Sequence, residues 1–155
     1  MSAPGPQTMQ VAAFRLDGRL FGVDIRLVKE ITEETRLVPI PRAPEGIAGM
    51  LNIRGRIHLV VDLRTAFRFP SSSRDSHSRV ILFKPSVDEP FGVLVDAVED
   101  ILEIDPDRMV DRRSPNGPSD PAHELRRARR DLCLGVYPLP RELLLVLNPH
   151  SILET

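Results

Sequence analysis

At 155 residues, 41% apolar and 28% charged, the chain has the make-up of a soluble globular protein large enough to bury a real core. Its formal net charge of −1 gives no general pull toward nucleic acid or anionic lipid. The 15 prolines and 9 glycines point to many short elements joined by turns, and the 21 basic residues are all Arg except Lys29 and Lys84. A single cysteine, Cys133, cannot form an internal disulfide, so a reducing compartment is the natural home. Residues 1–10, MSAPGPQTMQ, hold no apolar leader run and read as a disordered lead-in. No stretch approaches the roughly 18 apolar residues of a membrane span, so a cytoplasmic location without membrane insertion is expected.

Taken in chain order, short apolar runs bounded by turn residues dominate. Val11 to Leu16, the pair Asp17-Gly18 and Arg19 to Val23 predict a hairpin with a tight DG turn. After a turn near Arg26-Leu27, VKEI and RLVPI read as extended until Pro39 and Pro41. Ile47 to Ile53, an Arg54-Gly55 turn and Arg56 to Val61 predict a second hairpin. Asp62 is placed to cap a short helix reaching Phe67. Residues 70–78, PSSSRDSHS, read as a linker. Arg79 to Phe83, Phe91 onward to Ile104, then LCLGV, the turn YPLP and RELLLVL supply the strands of the second half. Asn148-Pro149 is a good N-cap and first-turn pair for a last short helix.

The two halves repeat each other. FGVDIRLVKEI begins at Phe21 and FGVLVDAVEDI at Phe91, an offset of 70 that aligns Ile25 with Val95, Val28 with Val98 and Ile31 with Ile101. Further on the offset is 86, with Gly49 on Gly135, Leu59 on Leu145, Val61 on Leu147 and the cap Asp62 on the cap Asn148. The difference, 16 residues, places an insertion between Ile104 and Leu132, where RRSPNGPSDP and the basic run ELRRARR stand. Five short strands and one helical turn per half favour small closed barrels over open sheets. The expected fold is all-β with short helices: two pseudo-symmetric five-stranded SH3-like barrels, subdomain 1 at 11–69, the linker at 70–78, subdomain 2 at 79–147 and a short helix at 148–154, with a groove between the barrels.

A repeat is also an internal control. Types shared by both copies, among them Phe21/Phe91, Gly49/Gly135 and the paired aliphatics, are assigned to the barrel itself. NIRG, Asn52 to Gly55, has Pro138-Leu139-Pro140-Arg141 as its counterpart, so the barrel does not require Arg54. Arg54 at a hairpin tip reads as a solvated turn residue, as the partner of Glu30 in an internal ion bridge, or as a planar donor for a partner's carboxylate or carbonyls.

NIRGRIHLVVDLR resembles the signature hairpin of CheW-like domains, a strand, N-[LI]-R-G and a strand ending in Asp-Leu-Arg. VPIPRAPEGIAGML resembles the family's prolines leading to a Gly, and the two FGV runs resemble its barrel repeats. The resemblance covers Val11 to about Leu153. It implies two barrels around a shared core and an adaptor between a methyl-accepting chemoreceptor's hairpin tip and the regulatory domain of a CheA-type histidine kinase, in receptor arrays at the inner membrane. It carries over Arg54, Gly49 and Val28 as receptor-facing, Glu30 as support for Arg54, and Asn52 and Ile53 with the hairpin. Other CheW-like proteins are possible further partners through barrel ends. The chain departs from the pattern at Leu59, where the family often has Pro, at the YPLP turn and in the insertion at 112–131, which leaves a divergent scaffold of another chemosensory pathway as an alternative.

An enzyme would need a convergent nucleophile, base and stabiliser. His58, His77, His123 and His150 are scattered, Cys133 lies in an apolar run, Glu30, Glu33 and Glu34 read as a surface charge run, and neither HExxH, GxSxG nor a phosphate loop is present. No catalysis, cofactor or metal is expected. A small-barrel nucleic-acid binder is the rival reading, resting on ELRRARR (Glu124 to Arg130). Against it stand 5% aromatics, one Tyr, no Trp and a slightly acidic balance, so no nucleic-acid partner is expected.

Overall fold

The computed structural model describes residues 8–70, 74–85, 87, 89–111 and 132–154. Residues 1–7, three linker positions and the 112–131 insertion with its ELRRARR run lie outside them. Eleven strands, one short α-helix and three 3-10 turns make up the described chain, and period-2 apolar patterning between turn residues explains most of them. β1 (Met9–Leu16) and β2 (Arg19–Asp24) form the first hairpin. Asp17 and Gly18 both take positive φ there, 53° and 77°, as a type I′ turn requires. A 3-10 turn (Ile25–Leu27), capped by Asp24 accepting from the Arg26 amide, leads to β3 (Val28–Thr32). β4 (Ile47–Ile53) and β5 (Arg56–Asp62) form the second hairpin. Asp62 then caps α1 (Leu63–Ala66) by accepting from the Arg64 amide at 3.0 Å.

The second half supplies β6 (Arg79–Phe83), β7 (Phe91–Val95), β8 (Ala97–Ile104), the two-residue β9 (Val110–Asp111), β10 (Cys133–Pro138) and β11 (Leu143–Leu147). It ends in a 3-10 turn (Pro149–Glu154). The RLVPI run expected to be extended contributes only Val38, which exchanges two backbone hydrogen bonds of 2.8 Å with Met50.

These strands form two barrel sheets, of order β8-β1-β2-β11-β10-β9 and β3-β6-β7-β5-β4. The sheets do not follow the sequence halves. Each takes its first hairpin from the half opposite to the one supplying its other strands, so the limits 11–69 and 79–147 mark the repeats, not the barrels. The exchange arises because β3 leaves β2 and pairs with β6, while β8 leaves β7 and pairs with β1. The repeat is nevertheless preserved in register. Leu145 lies opposite Phe21 in the parallel pair β11–β2, and Leu59 lies opposite Phe91 in the parallel pair β5–β7.

Three apolar clusters fill the protein. Val11, Ala13, Leu20, Leu144 and Val146 lie in one, Leu51, Val60, Val80 and Leu82 in another. The largest draws on both sheets, with Phe14, Phe21, Phe83, Phe91, Val93 and Leu145 among its members. Stacked and tilted rings link Phe14 to Phe21, Phe21 to Phe67 and Phe83 to Phe91, with centroids 5.8, 5.1 and 4.9 Å apart. A shared core of this kind makes the two barrels one cooperative unit.

Candidate partner-binding site

The β4–β5 hairpin turns through Arg54 and Gly55, with φ of 52° and 83°. This is again a type I′ turn, and Asn52 closes it by accepting from the Gly55 amide at 3.0 Å. An Arg in the left-handed region is unusual, since Asn, Asp or Gly fits it with less strain, and Asp17 fills the same place in the first hairpin. Ile53, beside it, packs partly against the inner cluster of Leu51 and Val60. Asn52 and Ile53 therefore shape the turn, and Arg54 is the residue the turn presents.

The Arg54 guanidinium grips one carboxylate. Nη1 donates to Glu30 Oε1 at 2.6 Å and Nη2 to Oε2 at 3.4 Å. Glu30 holds the Arg54 pKa above its ordinary value, through this hydrogen bond first and its charge second. Glu30 is on β3 and Arg54 beyond the end of β4, the two terminal strands of their sheet, so the ion pair spans the seam where that barrel closes. The Arg54 side chain is 75% exposed and that of Glu30 27%. The Glu30 ion bridge thus coexists with an open, oriented donor whose Nε–H has no partner among the described residues.

In the other sheet a second arginine near a hairpin turn, Arg15 on β1, is enclosed. Arg15 donates through Nε to Glu99 at 2.7 Å and through Nη1 and Nη2 to Glu142 at 2.7 and 2.9 Å. Nη1 also reaches the Gly18 carbonyl at 3.3 Å, and the side chain is only 28% exposed. Glu142 and then Glu99 hold the Arg15 pKa above its ordinary value, while Arg15 lowers that of Glu142. Of the two arginines, Arg15 is consumed internally and Arg54 is left open.

Gly49 is placed differently from its expected partner-facing role. It is buried, with φ of 150°, at a bulge in β4, and a Cβ there would stand 2.8 Å from the Val38 carbonyl oxygen. What approaches Gly49 closely is the protein's own backbone. Val28 lies partly buried against the central core, opposite Phe83. Its repeat partner Val98 lies likewise, opposite Phe14.

The same core face carries two residues that the internal control misassigned. Ile31 and Ile101 were counted as barrel core because both copies keep them, yet they are 38% and 58% exposed. Ile31 pairs with Ile81 and Ile101 with Ala12, both core members, and cross-strand partners share a face. The sheet-terminal positions of β3 and β8 leave them uncovered. Val28, Ile31, Val98 and Ile101 thus carry the central core to the surface, one pair from each barrel. Repetition in sequence could not distinguish a repeated core from a repeated surface.

Among the described residues no group of three or more His, Cys, Asp or Glu could hold a metal ion. His58 is buried with Nδ1 3.1 Å from the Arg56 carbonyl, and Cys133 is buried in the central core. What this surface presents is an oriented and exposed guanidinium on the NIRG turn.

The family model described as CheW-like domain matches residues 10–155. The chain belongs to the CheW-like family. Among curated relatives, it is 33% identical over 95 residues to Chemotaxis protein CheW of Rhizobium meliloti, covering 61% of each chain. It is also 33% identical over 91 residues to Chemotaxis protein CheW of Klebsiella aerogenes, covering 59% of this chain and 54% of that one. The alignments thus span about three fifths of these relatives' length. The crystal structure of scaffolding protein TtCheW from Thermoanaerobacter tengcongensis superposes with a TM-score of 0.78 at 25% identity, over 96% of this chain and 94% of that one. The CheW-like fold is accordingly two β-barrels on a shared core, with the NIRG hairpin at one barrel's closing seam.

Proposed function

We propose that this CheW-like chain is a noncatalytic adaptor coupling a methyl-accepting chemoreceptor's hairpin tip to the regulatory domain of a CheA-type histidine kinase. The observation that carries the reading is the contrast between two paired arginines. Arg54 is strained into a left-handed turn, held by Glu30 and left 75% exposed, whereas Arg15 on β1 of the other sheet is engaged by Glu99 and Glu142 and only 28% exposed. A strained, oriented and unspent donor is what a docking surface needs. Ile31 and Ile101, exposed on the terminal strands of the two sheets, offer apolar contact suited to the flanks of a helical hairpin.

Coupling would be thermodynamic. Two partners on one cooperative unit let receptor state bias kinase state, by about 1–3 kcal/mol in systems of this sort. Single contacts need only be modest, because an array raises effective concentration. Placement at receptor arrays under the inner membrane belongs to this reading. No helix among the described residues is long and apolar enough to cross a membrane.

The test is affinity capture from the native cytoplasm with tagged wild type beside Arg54→Ala. Recovery of a CheA-type kinase by both, with receptor lost only from the variant, supports the adaptor and its receptor site. Recovery of nucleic acid or unrelated protein in place of both partners rejects it.

A further inference from the structure

The two crossings between barrels, Asp24 to Val28 and Asp96 to Val98, occupy equivalent positions in the repeat, yet among the described residues only the second is tied by side-chain hydrogen bonds to distant elements of both barrels. Asp96 is the single residue between β7 and β8. Its carboxylate receives Arg64 Nε at 3.1 Å and Arg64 Nη2 in a closer contact, and its second oxygen also accepts from the Asp17 amide at 2.8 Å. Arg64 Nη1 donates to the Pro70 carbonyl at 2.6 Å and lies 3.7 Å from Asp17 Oδ1. The Asp96 amide donates to the Arg15 carbonyl at 3.0 Å. One side chain, 11% exposed, therefore ties α1 of one barrel to the β1–β2 turn of the other at the crossing itself.

The repeat offers the control. Arg26 stands where Asp96 does, one offset of 70 earlier, and His150 stands one offset of 86 after Arg64. The Arg26 side chain bonds only Asp24, two residues away, and is 80% exposed. Among the described residues the His150 side chain has no hydrogen-bond partner, and its amide donates to Asn148 at 3.2 Å. Since one copy does without the tie, the barrel fold does not require it.

We infer that Arg64 is a positioning residue for the receptor-facing surface: through Asp96 it fixes Val98, two residues downstream, and leaves Val28 without an equivalent tie. The inference rests on the adaptor reading for what that surface holds, but the asymmetry between the two crossings is independent of that. A bidentate Arg–Asp pair shielded from water holds its geometry far better than an exposed pair within one turn.

The experiment places a single cysteine at Val28→Cys or Val98→Cys and follows thiol labelling, with buried Cys133 reporting global opening. Arg64→Lys keeps the charge and loses the planar fork. Asp96→Asn keeps the size and serves if Arg64→Lys does not fold. In either background the label should reach Val98→Cys about fivefold faster, with Val28→Cys and Cys133 within about twofold of the parent. Affinity for the receptor's cytoplasmic helical-hairpin fragment should fall by about fivefold at a temperature where both proteins are fully folded. Acceleration at all three thiols alike makes Arg64 a general stabiliser and overturns the inference, as does no change at Val98→Cys. If wild type fails to bind the receptor fragment, the adaptor reading falls, while the labelling still decides the role of Arg64.

Discussion

Gly49 and Gly135 stand at equivalent bulges of the two barrels, each with a backbone carbonyl where a Cβ would be. For Gly49 the oxygen is that of Val38, at 2.8 Å, and for Gly135 it is that of Val110, at 2.6 Å. Both glycines let a neighbouring extended segment cover a sheet edge. Gly49→Ala should destabilise the protein by about 2–4 kcal/mol in urea denaturation, because backbone strain and overpacking add at one site. A loss under about 0.5 kcal/mol would mean that the Val38 segment moves away freely. Gly49→Asp is expected to fail by unfolding, for the same reasons.

Arg54 separates fold from recognition. Replacing it with Asn, which fits the left-handed turn with less strain, should leave the denaturation midpoint unchanged or slightly raised. Binding of the receptor fragment should nonetheless weaken by about tenfold or more, as loss of a central Arg anchor does elsewhere. A clear fall in the midpoint would make the Glu30 bridge a fold determinant and move Arg54 out of the binding surface.

Much of the fold was legible because the chain states it twice. The hairpins and the capping residues Asp62 and Asn148 follow from patterns of two to ten residues, several of them repeated at fixed offsets. The exchange of hairpins was not legible, because local patterning sets which residues pair within a hairpin and says nothing about which hairpin lies beside it. At the site, Arg54 and Glu30 emerged from sequence, while Ile31 and Ile101 did not. Apolar periodicity reports the face a residue takes, and only tertiary closure decides whether that face is covered.

Those two isoleucines yield their own expectation. Ile31→Ser and Ile101→Ser should each change stability by less than about 1 kcal/mol, since exposed residues lose little packing. Each should still weaken partner binding, and the double variant more than either. Loss of stability comparable to a core substitution would return both residues to the barrel interior.

Phe21 and Phe91 provide the contrast. Both are fully buried in the central cluster, in ring contact with Phe14 and Phe83 respectively. Phe21→Ala and Phe91→Ala should each cost about 3–5 kcal/mol. Because the cluster draws on both sheets, either variant should loosen both barrels together in hydrogen exchange. Protection lost from one sheet alone would show that the barrels are separate folding units.

The enclosed Arg15 makes a pH prediction. Arg15 hydrogen-bonds Glu142 in the folded state and depresses its pKa, so the folded protein binds that proton less readily than the unfolded chain does. The stabilisation is therefore present above the ordinary glutamate value, about 4.3, and disappears as pH falls through the lower folded value. Resonances of Glu142 should titrate below the ordinary range in wild type and return toward it in Arg15→Gln. Arg15→Gln should also remove part of the acid-side dependence of stability, with no change in the dependence above pH 6, where both states leave Glu142 ionised. A Glu142 titration that ignores the substitution would mean the ion pair is not maintained in solution, and the contrast between an occupied Arg15 and an available Arg54 would lose its basis.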